Sequence, residues 1–227
     1  MLFSSLPFLF YFLPCALGLY FLVPRRLKNA ALLLCSLVFY AWGEPRFVLF
    51  MAAAILQGYA AARLMERHPT RRRLVLTLSA VLSLGILAYC KYADFLISGF
   101  NAVTGLSVPL LRMALPIGIS FYTFQILSYV IDVYRGDAPA QRNLIDLAAY
   151  IAMFPQLIAG PIVKYRDVSA QLHVYKHRYS LQQIEEGMTL FTFGLAKKVL
   201  LADAVGALWT DLIGIADSPS TTFVGLA

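Results

Sequence analysis

With 60% hydrophobic and only 14% charged residues among 227, the chain is too apolar for a soluble domain. Its formal charge of +7 does not mark a nucleic-acid binder, because the basic residues gather between long apolar runs. Several runs approach the ~20 residues needed to cross hydrocarbon, and unalternating stretches such as 74–87 exclude a barrel. The expectation is an all-α, polytopic helical membrane protein.

A first span is expected from Leu6 to Val23, closed by Pro24 and the RRLK sequence at 25–28. It has no basic region ahead of the apolar stretch, the reverse of a cleavable signal peptide, so it reads as a retained helix. A return segment over 29–43 ends in a Gly-Glu-Pro turn beside Trp42. A third segment, Phe47 to Leu64, enters the most basic connection, RLMERHPTRRR. A fourth runs from Leu74 to about Ile97, and a connection containing Gly105 and Pro109 leads to a fifth over 115–137. Residues 144–163 are apolar but interrupted by Pro155 and by Gly160-Pro161, with basic flanks on both sides. Proline removes a backbone donor, so this segment reads as a re-entrant hairpin surrounded by protein or by a cavity. Ser180 is placed to cap a long helical pattern that carries Lys197 and Lys198 in its middle.

The charges set the topology. Three basic residues lie at 25–28, five at 63–73, two at 135–142 and four at 164–178. Only Arg46, Lys91 and Arg112 fall in the alternate connections, which puts the basic connections in the cytoplasm and the N-terminus outside.

The fifth segment carries the first candidate site. Gly118, Tyr122, Gln125, Tyr129 and Asp132 are spaced four, three, four and three, so a helix gathers them on one face. Ile119, Ile126 and Val130 read as an opposite, apolar face. A polar stripe is costly in lipid, so it faces other helices or a cavity. Two readings stay open: the wall of a substrate path, or a helix contact glued by hydrogen bonds with Asp132 pairing Arg135. The second candidate is the backbone around Pro155, Gln156, Gly160 and Pro161. Lys164 and Arg166 read as positive-inside bias. His68, His173 and His177 belong to basic connections and have no third metal ligand, so no metal site is expected. Lys91 and Asp94 read as a local ion pair, and Cys15, Cys35 and Cys90 as small packing groups.

Three stretches carry a resemblance: LPIGISFYTFQILSYVIDVYRGD at 115–137, NLIDLAAYIAMFPQLIAGPIVKYRD at 143–167 and GLAKKVLLAD at 194–203. With FSSLPFLFYFLP, LVFYAWGEPRF and KYADF, they closely resemble the alginate O-acetyltransferase branch of the membrane-bound O-acyltransferase family. The resemblance covers essentially the whole chain, in order, and matches the N-terminal half of that family's single membrane domain. It implies transfer of acetyl groups to hydroxyls of an exported polysaccharide, alginate or a similar glycan. The implied donor is acetyl-CoA or a similar acyl thioester, with no resident cofactor. Extracytoplasmic partner proteins would complete the transfer, in a bacterial inner membrane. Tyr122, Gln125, Tyr129 and Asp132, with the interrupted segment, would line the reaction chamber.

The family's essential histidine lies in a tryptophan-histidine-glycine type motif that nothing here matches. It is expected beyond Ala227, as the general base toward the acceptor hydroxyl, so no catalytic residue is assigned within 1–227. The contrasting class is a non-catalytic scaffold or transport-path component of a polysaccharide-modifying complex.

Overall fold

A computed structural model describes residues 4–43, 45–112, 115–116, 118–157, 163–172 and 180–216; the side chains of 170, 171 and 214–216 are not described. The described residues form helices and no strands. The chain divides into two compact units, one of them essentially Cys15–Tyr175 and the other Leu2–Pro14 with Lys176–Ala227.

The first unit holds all but the first two residues of α1 (Leu13–Leu22), then α2 (Lys28–Gly43), α3 (Val48–Arg67) and α4 (Arg72–Thr104). They are followed by α5 (Ile119–Arg135), α6 (Leu144–Ala152), α7 (Phe154–Leu157) and α8 (Tyr165–Leu172). Two helical stretches, Pro45–Arg67 and Pro69–Thr104, are long and apolar enough to cross a membrane. The first apolar helix, Phe8–Leu22, is shorter than the expected span. Helix α4, at 33 residues, reaches ~50 Å, well beyond the ~30 Å of hydrocarbon in a bilayer. It buries only Ser79, Ser83 and Leu87 and exposes Leu74, Leu78, Val81 and Leu82, the pattern of a helix whose outer face meets apolar solvent.

Small residues bring α3 and α5 together. Ala54, Gly58 and Ala62 recur every four residues, and a Cβ on Gly58 would lie 2.6 Å from Ile126 Cγ2. Such spacing lets helices pack where water supplies no driving force. A polar clamp joins α3 to α4. Gln57 Nε2 donates to Ser79 Oγ at 2.7 Å and Ser83 Oγ donates to Gln57 Oε1 at 3.1 Å, so the amide is satisfied at both ends.

Helix α5 packs against α3, α4, α6, α7 and α8. Both of its ends are glycines in the left-handed region, Gly118 at φ +75° and Gly136 at φ +83°. Behind Gly136 the Asp137 N–H donates to the Asp132 carbonyl and the Gly136 N–H to that of Val133, a Schellman ending. At the other end, a Cβ on Gly118 would lie 2.7 Å from the Leu157 carbonyl oxygen.

The interrupted segment breaks at Met153, between α6 and α7. Pro155 is the second residue of α7. There its missing N–H costs nothing, whereas continuing α6 would drive its ring into the Ile151 carbonyl. The N–H at the break is not stranded: Phe154 N donates to Ser36 Oγ at 3.2 Å, and Ser36 Oγ donates onward to the Leu32 carbonyl. Residues 146–152, Phe154 and Leu157 are buried in protein, while Gly160 and Pro161 lie outside the described residues.

In the second unit, Ser180 caps α9 (Leu181–Ala196) through a capping box with Gln183. A π-helical turn, Lys197–Ala202, joins it to α10 (Asp203–Ala216). Lys198 pairs with Asp203 at 2.9 Å. Two local expectations are corrected. Asp94 accepts from the Leu111 N–H at 2.7 Å and Lys91 lies over the Tyr92 ring at 5.5 Å, so the expected Lys91–Asp94 pair is replaced by a loop cap and a cation–π contact. Cys15 is exposed and packs no core, whereas Cys35 is buried.

Gly118 and Gly85 predict opposite responses to the same substitution. Gly118→Ala forces a left-handed alanine into the Leu157 carbonyl and lowers stability by about 1–3 kcal/mol. Gly85→Ala, in open space on α4, is neutral or raises it by up to ~1 kcal/mol. Thermal unfolding in detergent checks both; equal midpoints would contradict the packing at Gly118.

Candidate functional site

The side chains of the α5 stripe are buried. Tyr122, Gln125, Tyr129 and Asp132 are each 5% exposed or less. Ile119, Ile126 and Val130 are buried as well, so they are not an outer face. At ~100° per residue they flank the stripe, and the outward side passes through Ser120, Phe124, Ser128 and Ile131. Phe124 is exposed and the other three are half-buried. The helix is a central one, wrapped on most sides.

Three neighbourhoods follow one another along the stripe. At its start, Tyr122 and Thr123 line a slot of about 180 Å³ between α3, α4 and α5, walled by Phe50, Ala54 and Ile86 with Gln57 and Ser83 as its polar edge. One turn on, Gln125 Nε2 donates to Gln156 Oε1 at 3.2 Å, which ties the stripe to α7. Gln156 is half-buried and Pro155 is exposed, so of the second candidate group only Gln156 meets the stripe among the described residues.

At its far end the stripe enters a cluster of tyrosines. The Tyr165 ring stands edge-on to Tyr129 at 4.7 Å and to Tyr150 at 5.3 Å. Tyr129 Oη accepts from the Gln141 N–H at 2.9 Å, and Tyr150 Oη donates to the Val163 carbonyl at 2.6 Å. On α8, burial with Asp146 nearby pushes the Tyr165 phenol up to about 12, so it stays a hydrogen-bond donor at neutral pH. Asp146 accepts from Asn29 Nδ2 at 2.8 Å, and the same amide donates to the Leu172 carbonyl at 3.0 Å, fastening α2, α6 and α8 together.

Two acceptors on the stripe have no hydrogen-bond partner among the described residues: Gln125 Oε1 and Asp132 Oδ2. The expected Asp132–Arg135 pair does not form, because Arg135 is exposed past the last turn while Asp132 points into the bundle. Buried acceptors of this kind are costly unless a donor reaches them. Any N–H or O–H donor that reaches them can fill them. His68 is exposed at the end of α3, and His173 and His177 lie outside the described residues. Among the described residues no group of three His, Cys, Asp or Glu is placed to hold a metal ion.

Sequence reasoning missed Ser36, Gln57, Thr123, Gln141 and the Asn29–Asp146 pair. Gln57 had a signal, a lone amide inside an apolar run. Ser36 and the Asn29–Asp146 pair meet partners more than a hundred residues away, which only the fold brings together.

No family model matches the chain, and no solved structure matches it. Among curated proteins it is 44% identical to a probable alginate O-acetylase of Azotobacter vinelandii, over 97% of this chain and 45% of that protein. It is likewise 44% identical to a probable alginate O-acetylase of Pseudomonas aeruginosa, over 92% of this chain and 41% of that protein. A peptidoglycan O-acetyltransferase of Helicobacter pylori is 30% identical over 89% of this chain and 45% of its own length. The chain thus spans somewhat less than half the length of the curated relatives it matches. Along nearly all of its residues it is a homologue of part of the alginate O-acetylases, proteins of the membrane-bound O-acyltransferase family.

Proposed function

We propose that these residues form the N-terminal part of a multi-pass O-acetyltransferase of the bacterial inner membrane, acting on an exported polysaccharide such as alginate. The observation that carries this reading is the 44% identity to an alginate O-acetylase over 97% of the chain. The donor is an acyl thioester such as acetyl-CoA, and extracytoplasmic partner proteins receive or complete the transfer. In the reaction an acceptor oxygen attacks the thioester carbonyl, the carbon–sulfur bond breaks and the hydroxyl proton passes to a base. That base is the family's histidine, not a residue of this chain. The residues of α5 and α7 position the acceptor: Gln125 Oε1 and Asp132 Oδ2 take hydrogen bonds from hydroxyls, and the neutral tyrosines form an apolar but polar-tipped wall.

The topology keeps α3, α4 and α5 as spans and residues 144–163 as a re-entrant segment, with the N-terminus outside. It is supported by the meeting of the 63–73 and 135–142 connections at one end of the bundle, where an Arg142 nitrogen lies 4.0 Å from Glu66 and Tyr59 Oη donates to the Arg142 carbonyl. A re-entrant reading also suits the break at Met153, which is half-buried between the buried Ala152 and Phe154, since irregular backbone at membrane depth needs protein around it.

Two outcomes are expected. Asp132→Asn in the full-length enzyme lowers acetylation of the exported glycan at least ~10-fold, while stability holds or rises by about 1 kcal/mol as a buried unpartnered carboxyl is replaced by an amide. Glycan acetyl content and thermal unfolding read the two arms; kept acetylation with lost stability makes the stripe a mere helix contact. In a cysteine-free background, single cysteines at Thr70 and Tyr175 stay shielded from an impermeant external thiol reagent, while one at Thr104 is labelled. Labelling at 175 from outside rules out the re-entrant segment.

A further inference from the structure

The arginines at the closed end of α3, α4 and α5 divide into two sets. One set is engaged within the fold. Arg72 Nη2 donates to the Val133 carbonyl at 3.0 Å with its guanidinium 5.9 Å from the Tyr134 ring, and Arg63 and Arg142 share Glu66. These contacts pin the two connections to one another. The other set, Arg67, Arg71, Arg73 and Arg135, is exposed and has no acidic partner among the described residues. The acids in the same connections are Glu66, already taken, and Asp137.

Exposed apolar side chains begin right beside these guanidiniums. Leu64, three residues before Arg67, is 44% exposed, and Leu74, one residue beyond Arg73, is 58% exposed. A helix rises only ~1.5 Å per residue, so Arg67, Arg71 and Arg73 start within ~5 Å, along the axis, of a surface suited to hydrocarbon, and the Arg72–Val133 hydrogen bond brings the end of α5, with Arg135, to the same connection. A group at that depth lies among lipid headgroups. All four are arginines, whose planar fork matches a phosphodiester better than the point charge of lysine.

We propose that Arg67, Arg71, Arg73 and Arg135 form a binding site for the phosphodiester headgroup of an anionic phospholipid such as phosphatidylglycerol. The proposal rests on the membrane-spanning reading of α3 and α4 and is independent of acetyl transfer. The bound lipid bridges the α3–α4 connection to the end of α5, adding from the bilayer the anions that the chain itself does not supply.

The test uses the full-length protein, purified and placed in mixed phosphatidylcholine–phosphatidylglycerol nanodiscs, with retained lipid read by native mass spectrometry. The wild type keeps phosphatidylglycerol over phosphatidylcholine by about tenfold, and R71Q/R73Q/R135Q lowers that preference at least ~5-fold. R71K/R73K/R135K, which keeps charge and fold, gives an intermediate preference, and Arg46→Gln, before the start of α3, changes nothing. Equal retention of the two lipids by the wild type overturns the proposal, as does an unchanged preference in the glutamine variant or an equal loss in Arg46→Gln. Displacement of the lipid by inorganic phosphate at matched ionic strength makes soluble phosphate the occupant and overturns it too. Wild-type protein that does not fractionate with membranes at all defeats the spanning reading instead.

Discussion

A helix that stops among apolar neighbours leaves a backbone N–H with no water to receive it, and the first unit is arranged around one such stop. Pro155 ends α6 at Met153, and the freed Phe154 N–H is taken by Ser36 of α2 at 3.2 Å. The carbonyl at the end of α7, on Leu157, then lies so close to the start of α5 that only glycine fits at 118. Three helices are therefore located by one interruption. Without the Ser36 acceptor the break would carry an orphan donor costing about 1–3 kcal/mol, and the buried turn would lose its reason to persist.

This placement gives the stripe of α5 its surroundings. The bundle contains two kinds of buried amide. Gln57 spends both ends of its side chain on Ser79 and Ser83, as a group that serves only to hold helices together should. Gln125 spends its donor end on Gln156 and leaves its acceptor end unfilled, and Asp132 leaves one oxygen unfilled two turns later. In the same apolar setting, then, one amide is satisfied at both ends and the other at its donor end only.

Much of this was legible in the sequence, for identifiable reasons. Apolar run length located α2 to α5, a 3.6-residue period gathered the stripe, and Pro155 marked the interruption. Period alone does not tell how many neighbours a helix has, so Ile119, Ile126 and Val130 read as an outer face when α5 is in fact central. Local pairing rules failed where the fold offered a better partner. Asp94 caps the Leu111 N–H 17 residues away instead of meeting Lys91. Asp132 turns inward while Arg135 turns out, although three residues separate them. Asn29 and Asp146 gave no signal because 117 residues lie between them.

The sequence GLAKKVLLAD shows how a local change of period rescues an awkward motif. On an α-helix, Lys198 and Asp203 are five apart and ~140° from one another, too far round to pair. The turn from Lys197 to Ala202 is π-helical, with hydrogen bonds reaching five residues, and that winding brings the two onto one side. Their charged atoms then meet at 2.9 Å, and the Lys198 ammonium also donates to Ser4 Oγ within the same unit. A lysine in the middle of a long exposed helix is thereby neutralised from its own helix. Lys197, next to it, is exposed and has no such partner among the described residues, which fits a turn wound for Lys198 in particular. The poorer geometry of the π-helical turn is thus accompanied by an ion pair that regular α-helical winding would not allow.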